Sequence, residues 1–348
     1  SLPAGTAPTG LSYSSSSFTV SSGTATNTVI AAIPTITSST NNIIYSISPG
    51  LPNGLNFNTS TGQITVSGSP VVASLLTNYT ITATTAYGST STSFSLQVGA
   101  VPSALSYPNA AYSFWKGDAI SNITPTVTHG SGATTFSAVG LPTGLTIDPI
   151  SGTIYGIPST AQAAGTATMT ASNTYGSTTY TISFAIIAPP TILYNTSNTY
   201  TTSQSGISLT PTVTGGLNNT IALNVSNSAF NTATGLNINT SSGTITGTAK
   251  STALSTTTYT ATISSTVNGV SKTATNNFNI TIGAAPSSLS YTSPQVIAVN
   301  NRIPNLTPSI TAGSGVTYAA TGLPAGLTID PNTGIIYGTP TFNQSATN

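Results

Sequence analysis

Three stretches of the chain alternate apolar and polar residues. Phe94, Leu96 and Val98 fall on one face of the first, Tyr180, Ile182, Phe184 and Ile186 on one face of the second, and Phe278, Ile280 and Ile282 on one face of the third. A period of two with polar residues between is the mark of a half-buried β-strand. Each stretch follows a Thr-rich run across a glycine turn, at Tyr87-Gly88, Tyr175-Gly176 and Asn268-Gly269, so each reads as a hairpin. No segment has the apolar period of about 3.6 residues and the end caps of a helix. Thr, Val, Ile and Tyr fill the runs, and Gly, Pro and Asn interrupt them at intervals of about 8–12 residues, which predicts an all-β sandwich.

The hairpins belong to a larger repeat. "GLPTGLTIDPISGTIYGIP" (Gly140–Pro158) returns as "GLPAGLTIDPNTGIIYGTP" (Gly322–Pro340), more loosely as "GLPNGLNFNTSTGQITVSGSP" (Gly50–Pro70), and as "TGLNINTSSGTITGT" (Thr234–Thr248), which lacks the Pro. Upstream of each copy stands "PTGLSY", "PSALSY", "PTILY" or "PSSLSY". Their tyrosines, Tyr13, Tyr107, Tyr194 and Tyr291, are 94, 87 and 97 residues apart.

The long motif reads as a small hairpin. Pro142 and Pro324 fix φ in the first turn, and Leu145 and Ile147 face inward. Asp148 and Asp330 are expected to accept backbone N–H groups as Asx turns, with Gly152 and Gly334 supplying positive φ. The motif recurs because each domain rebuilds the same hairpin.

"GLPxGLTIDPxTGxIxGTP" followed by "YTITATxxYGS" resembles the bacterial putative-Ig repeat family, related to the dystroglycan-type cadherin-like domains. The resemblance runs through the whole chain. It is strong in repeats 2 and 4, fair in 1 and weak in 3, which lacks the Leu-Pro and the Asp-Pro. It implies immunoglobulin-like β-sandwiches of large, exported, multi-domain surface proteins, and it implies no single activity.

The expected organisation is an elongated rod of tandem Ig-like domains without disulfides. Residues 1–7 read as the tail of a preceding strand or linker, followed by domain 1 (8–100), domain 2 (101–188), domain 3 (189–284) and domain 4 (285–348). Domain 4 lacks the last two strands of the repeat. Either those strands lie further along a longer array, or a neighbouring subunit supplies them by strand addition.

Composition narrows the function. Of 348 residues, 2% are charged, and the formal net charge is +1. Electrostatic steering toward nucleic acid or an acidic membrane is not available. A near-neutral surface of Ser, Thr, Asn and Gly promotes association, which suits a chain that packs with copies of itself into a homo-oligomer or polymer. Disulfides are excluded by the absence of cysteine. No run reaches the roughly 18 apolar residues of a membrane span. No charged segment of the kind that opens a signal peptide is present, so any export signal is expected to lie upstream or to have been removed.

Catalysis needs positioned acids, bases or nucleophiles, and this chain has one His, no Cys and three acids. An enzyme is not expected, and neither is a cofactor or metal. His129, in "THGSG", reads as an exposed loop residue. A calcium site needs six to eight oxygens, several from carboxylates, so Asp148 and Asp330 read as turn caps, with Asn58 and Asn239 in their place in repeats 1 and 3. Lys–Asn isopeptide staples need a lysine in each domain, and repeats 1 and 4 have none. Lys116 and Asp118 read as a local turn pair. Phe114 and Trp115 form the candidate contact site for a glycan or surface protein, and the plainer reading puts Trp115 in a core or domain junction. Candidate N-glycosylation sequons stand at Asn58, Asn78, Asn122, Asn195, Asn218, Asn224, Asn239, Asn279, Asn305 and Asn343, a number that chance supplies in such a sequence. The Thr-x-Thr pairs read as ordinary solvent-facing strand residues, not as an ice-binding face.

These observations point to an extracellular or cell-surface location. The leading expectation is a structural segment of a filament, stalk or sheath. The alternative is an adhesin stalk with one glycan- or protein-binding repeat.

Overall fold

The computed structural model describes residues 5–37, 42–68, 70–293, 295–311, 313 and 316–343. The chain forms two compact units, Ser1–Ile187 and Ala188–Asn348.

The first unit holds domains 1 and 2. Domain 1 has seven strands: β1 (Ser17–Ser21), β2 (Val29–Ala31), β3 (Ile44–Ser48), β4 (Leu55–Phe57), β5 (Ile64–Val66), β6 (Ser74–Thr85) and β7 (Gly88–Gly99). One sheet has the order β1-β7-β6-β3 and the other β2-β5-β4. Domain 2 follows with β8 (Ser103–Ser106), β9 (Ala111–Trp115), β10 (Thr126–Thr128), β11 (Thr135–Val139), β12 (Leu145–Ile147), β13 (Ile154–Gly156), β14 (Gln162–Asn173) and β15 (Gly176–Ile187). Its large sheet runs β11-β14-β15-β9, with the shorter pairs β12-β13 and β10-β8 beside it.

The long hairpins predicted from alternation form the centre of each large sheet. In β6–β7, Tyr79 opposes Phe94 and Ile81 opposes Thr92. In β14–β15, Met169 opposes Tyr180 and Ala167 opposes Ile182. Inward residues Ala167, Met169, Ala171, Ile182 and Phe184 are all 0% exposed. The outward residues between them are hydroxyls: Thr168 faces Thr181 and Thr170 faces Thr179. Burying one face at roughly 25 cal/mol per Å² of apolar area is the main stabilising term, and cross-strand Thr pairs dress the other face without charge. The first long strand of each domain pairs in parallel with the last, β1 with β7 and β9 with β15. Domains 1 and 2 keep separate cores, one around Tyr45, Ile64, Ile81 and Leu96, the other around Phe136, Ile154, Met169 and Phe184.

The second unit holds domains 3 and 4. Domain 3 comprises β16 (Thr191–Leu193), β17 (Ser197–Thr201), β18 (Ile207–Leu209), β19 (Thr212–Thr214), β20 (Thr220–Leu223), α1 (Asn227–Thr234), β21 (Leu236–Ile238), β22 (Ile245–Gly247), β23 (Leu254–Val267) and β24 (Val270–Gly283). Its large sheet is β17-β24-β23-β20, with β17 parallel to β24.

One short helix is added to the all-β plan. Ser226 caps its start through Oγ, which accepts from Ala229 N at 3.2 Å, and Gly235 ends it at φ 79°. The helix stands where the other repeats have their Gly-Leu-Pro turn, and Phe230 packs edge-on against Tyr259 with ring centroids 4.9 Å apart. Only Phe230 and Thr234 are buried, so its two turns leave almost no period in the sequence.

Among the described residues, domain 4 has four strands: β25 (Ser287–Ser290), β26 (Ser309–Thr311), β27 (Leu327–Ile329) and β28 (Ile336–Gly338). They correspond to β8, β10, β12 and β13 of domain 2. Counterparts of β9 and β11, which in domain 2 hydrogen-bond to β15 and β14, do not occur among the described residues of domain 4.

Candidate functional site

The four copies of the repeated turn share one geometry. The Asp148 carboxylate accepts backbone N–H bonds from Ile150 (2.9 Å) and Ser151 (2.7 Å). Asp330 accepts from Asn332 (2.8 Å) and Thr333 (2.9 Å). Asn58 and Asn239 make the same pair of bonds in domains 1 and 3. The glycine four residues on lies at φ 71° in Gly152 and Gly334, a left-handed conformation that favours glycine. The N–H of Ser151 above all, with that of Ile150, holds the Asp148 carboxyl below its ordinary range, and Thr333 and Asn332 do the same for Asp330. In each carboxylate Oδ1 accepts both bonds. Among the described residues no three His, Cys, Asp or Glu side chains come together as a metal site.

The upstream tyrosines belong to this turn. Tyr107 donates its hydroxyl to the Gly152 carbonyl at 2.8 Å. Tyr13 reaches Gly62 at 2.5 Å, Tyr291 reaches Gly334 at 2.6 Å, and Tyr194 donates to Gly243. Burial pushes the phenols of Tyr107 and Tyr194 up to about 12. Sequence reasoning found both markers and missed the bond between them. The available signal was their joint presence in every repeat, including the divergent third.

The candidate aromatic pair lies on β9. Trp115 is 3% exposed, and Phe114 is half-buried, stacked on Tyr112 at 5.7 Å. His129 is exposed in its loop and meets Phe136 edge-on. Lys116 and Asp118 follow β9 in a turn where Asp118 N donates to the Trp115 carbonyl at 3.4 Å. Of the sequon asparagines, Asn58, Asn78, Asn122, Asn195, Asn218, Asn224, Asn239, Asn305 and Asn343 are exposed and Asn279 is half-buried.

Domain 4 carries a feature with no equivalent in the prediction of single residues. A cleft of about 360 Å³ is lined by Leu289, Tyr291, Tyr318, Ala320, Ile329 and Ile336. Their counterparts in domain 2 pack against the inward face of β14–β15. Leu105 there is 6% exposed, whereas Leu289 is 55% exposed.

Domains 1 to 3 are Ig-like sandwiches built from one repeated plan, a central antiparallel hairpin, a parallel edge strand and a tyrosine-tied turn, and domain 4 shares the tyrosine-tied turn. The family model described as "Putative Ig domain" matches residues 7–99, 100–187 and 284–348, and the chain belongs to that family. The unmatched stretch, 188–283, contains the helix α1. No curated protein matches the chain. Among solved structures, it is similar to an I-band fragment I67–I69 from titin (12% identity, TM-score 0.46, covering 80% of this chain and 99% of that one). It is also similar to protocadherin gamma B2 extracellular cadherin domains 3–6 (13%, 0.34, 97% and 93%) and to mouse cadherin-23 EC22–24 (13%, 0.34, 77% and 96%). Among the described residues no helix is long and apolar enough to cross a membrane.

Proposed function

We propose that this chain is a structural segment of an extracellular filament, stalk or sheath, without catalytic activity. In this reading it associates with copies of itself through uncharged sandwich faces. The observation that carries the reading is the repetition itself: sandwich domains built on one plan follow one another along the chain, and only 2% of the residues are charged. The charge-free outer faces remove the repulsion that keeps most proteins apart.

The test is self-association. The chain is expected to form polymers visible by negative-stain microscopy and to sediment as species larger than a monomer. A chain that stays monomeric at high concentration overturns the reading.

A further inference from the structure

The end of domain 2 that receives domain 1 is built around a ring seated on a glycine. Gly99, the last residue of β7, is buried, and a Cβ placed on it would fall among the ring atoms of Tyr175, at the tip of β14–β15. Two residues on, the Val101 side chain packs at the tip glycine: a Cβ on Gly176 would lie 2.7 Å from Val101 Cγ1. The same two contacts occur at the corresponding end of domain 1. There a Cβ on Gly5 would fall among the ring atoms of Tyr87, and one on Gly88 would lie 2.9 Å from Ala7 Cβ. Neither Gly5 nor Gly99 has a positive φ, so the ring, not the backbone, requires glycine there.

Hydrogen bonds hold the linker between domains 1 and 2 in place. Ala100 N donates to Ser131 Oγ at 2.9 Å, and Val101 N donates to Ser22 Oγ at 3.1 Å. The Ala100 carbonyl accepts from Ser131 N and from Asn173 Nδ2, both at 2.9 Å. The Asn173 amide donates also to the Ser131 carbonyl at 2.9 Å, while its Oδ1 accepts from Tyr175 N at 2.9 Å and Gly176 N at 3.2 Å. One side chain thus ties linker, loop and hairpin tip together, using neutral groups only.

We infer that this end surface is a docking site for the closing strand of the preceding domain. It selects a strand that ends Gly-x-x-Pro, with the tip tyrosine detecting the glycine, and it fixes the angle between consecutive domains without a metal ion. The third repeat supports the pairing from sequence alone. Its tip reads Val267-Asn268-Gly269, without the tyrosine, and the strand before it ends in Ile187 in place of glycine. Ring and glycine are lost together, as a lock and its seat would be.

The absence of cysteine makes the joint directly measurable. Thr59→Cys and Ile150→Cys place one spin label on an exposed site in each of domains 1 and 2, and double electron–electron resonance reads the distance distribution between them. The distribution is expected to be narrow and unchanged by EDTA. Tyr175→Ala and Gly99→Ile are each expected to broaden it about twofold or more, whereas Tyr87→Ala, the same change outside this joint, leaves it alone. The pair Gly99→Ile with Tyr175→Asn, which removes glycine and ring together as the third repeat does, is expected to narrow it again. Circular dichroism and thermal melting show that each variant folds. A distribution that stays narrow in folded Tyr175→Ala, or one that broadens on chelation, overturns the inference.

Discussion

The hydroxyl of Tyr107 and the carbonyl of Gly152 meet at 2.8 Å inside domain 2, and the two residues are 45 positions apart in the chain. The bond staples the first strand of the domain to its tightest turn, and it recurs in all four domains. Replacing Tyr107 by Phe keeps the ring and strands a buried carbonyl. The expected cost to domain 2 is about 1–3 kcal/mol, read by urea denaturation followed through a domain 2 probe. A loss below a few tenths would mean that water replaces the hydroxyl.

Gly152 is constrained twice. Its φ is 71°, and a Cβ would lie 2.6 Å from Phe136 Cδ1 and 2.8 Å from Pro125 Cγ. Gly152→Ala is expected to destabilise domain 2 by more than the roughly 1 kcal/mol of left-handed strain alone. The equivalent change at Gly117, which also has positive φ but open space around it, is expected to cost only the strain. Equal costs at the two positions would refute the packing part of the argument.

Two residues of β15 separate core from surface. Phe184 is 0% exposed in the core, while Thr181 stands on the outer face. Phe184→Ala is expected to cost about 3–5 kcal/mol, and Thr181→Ala within about 0.5 kcal/mol of nothing. Denaturation midpoints of the two variants check both values.

Stability is expected to change only at the extremes of pH. The Asp148 and Asp330 carboxyls titrate below their unfolded values, so what they add is present above pH ~4 and disappears as pH falls through the lowered values. Tyr107 and Tyr194 are raised to about 12. Their contribution is whole below pH ~10 and is lost as pH climbs toward 12. Melting temperatures measured across the range should form a plateau between about pH 5 and 9. A slope centred near neutrality would show a titrating group that these assignments miss.

The large sheets were legible because alternation is local. Phe94, Leu96 and Val98 announce their face with no knowledge of the rest of the fold. The turn at Asp148 was legible for the same reason, since its acceptors and donors lie within three residues. The bond from Tyr107 to Gly152 was not, because nothing within either motif states which long-range partner it meets. The helix α1 escaped notice because it buries only Phe230 and Thr234. Tyr175 read as a turn residue, because its partner, Gly99, belongs to another domain.

The parallel pairing of an early strand, β1, β9 or β17, with the last strand of its domain has a mechanical consequence. Ser17–Ser21 lie alongside Ser95–Gly99 in register, Ala111–Trp115 alongside Ser183–Ile187, and Ser197–Thr201 alongside Asn279–Gly283. A pull along the chain draws such strands past each other lengthwise. The rungs are then loaded together in shear, not opened one by one as in a peeled hairpin. Rupture under load follows the unfolding rate, not the equilibrium stability. A chain with few charges and no disulfides can therefore resist tension through backbone geometry.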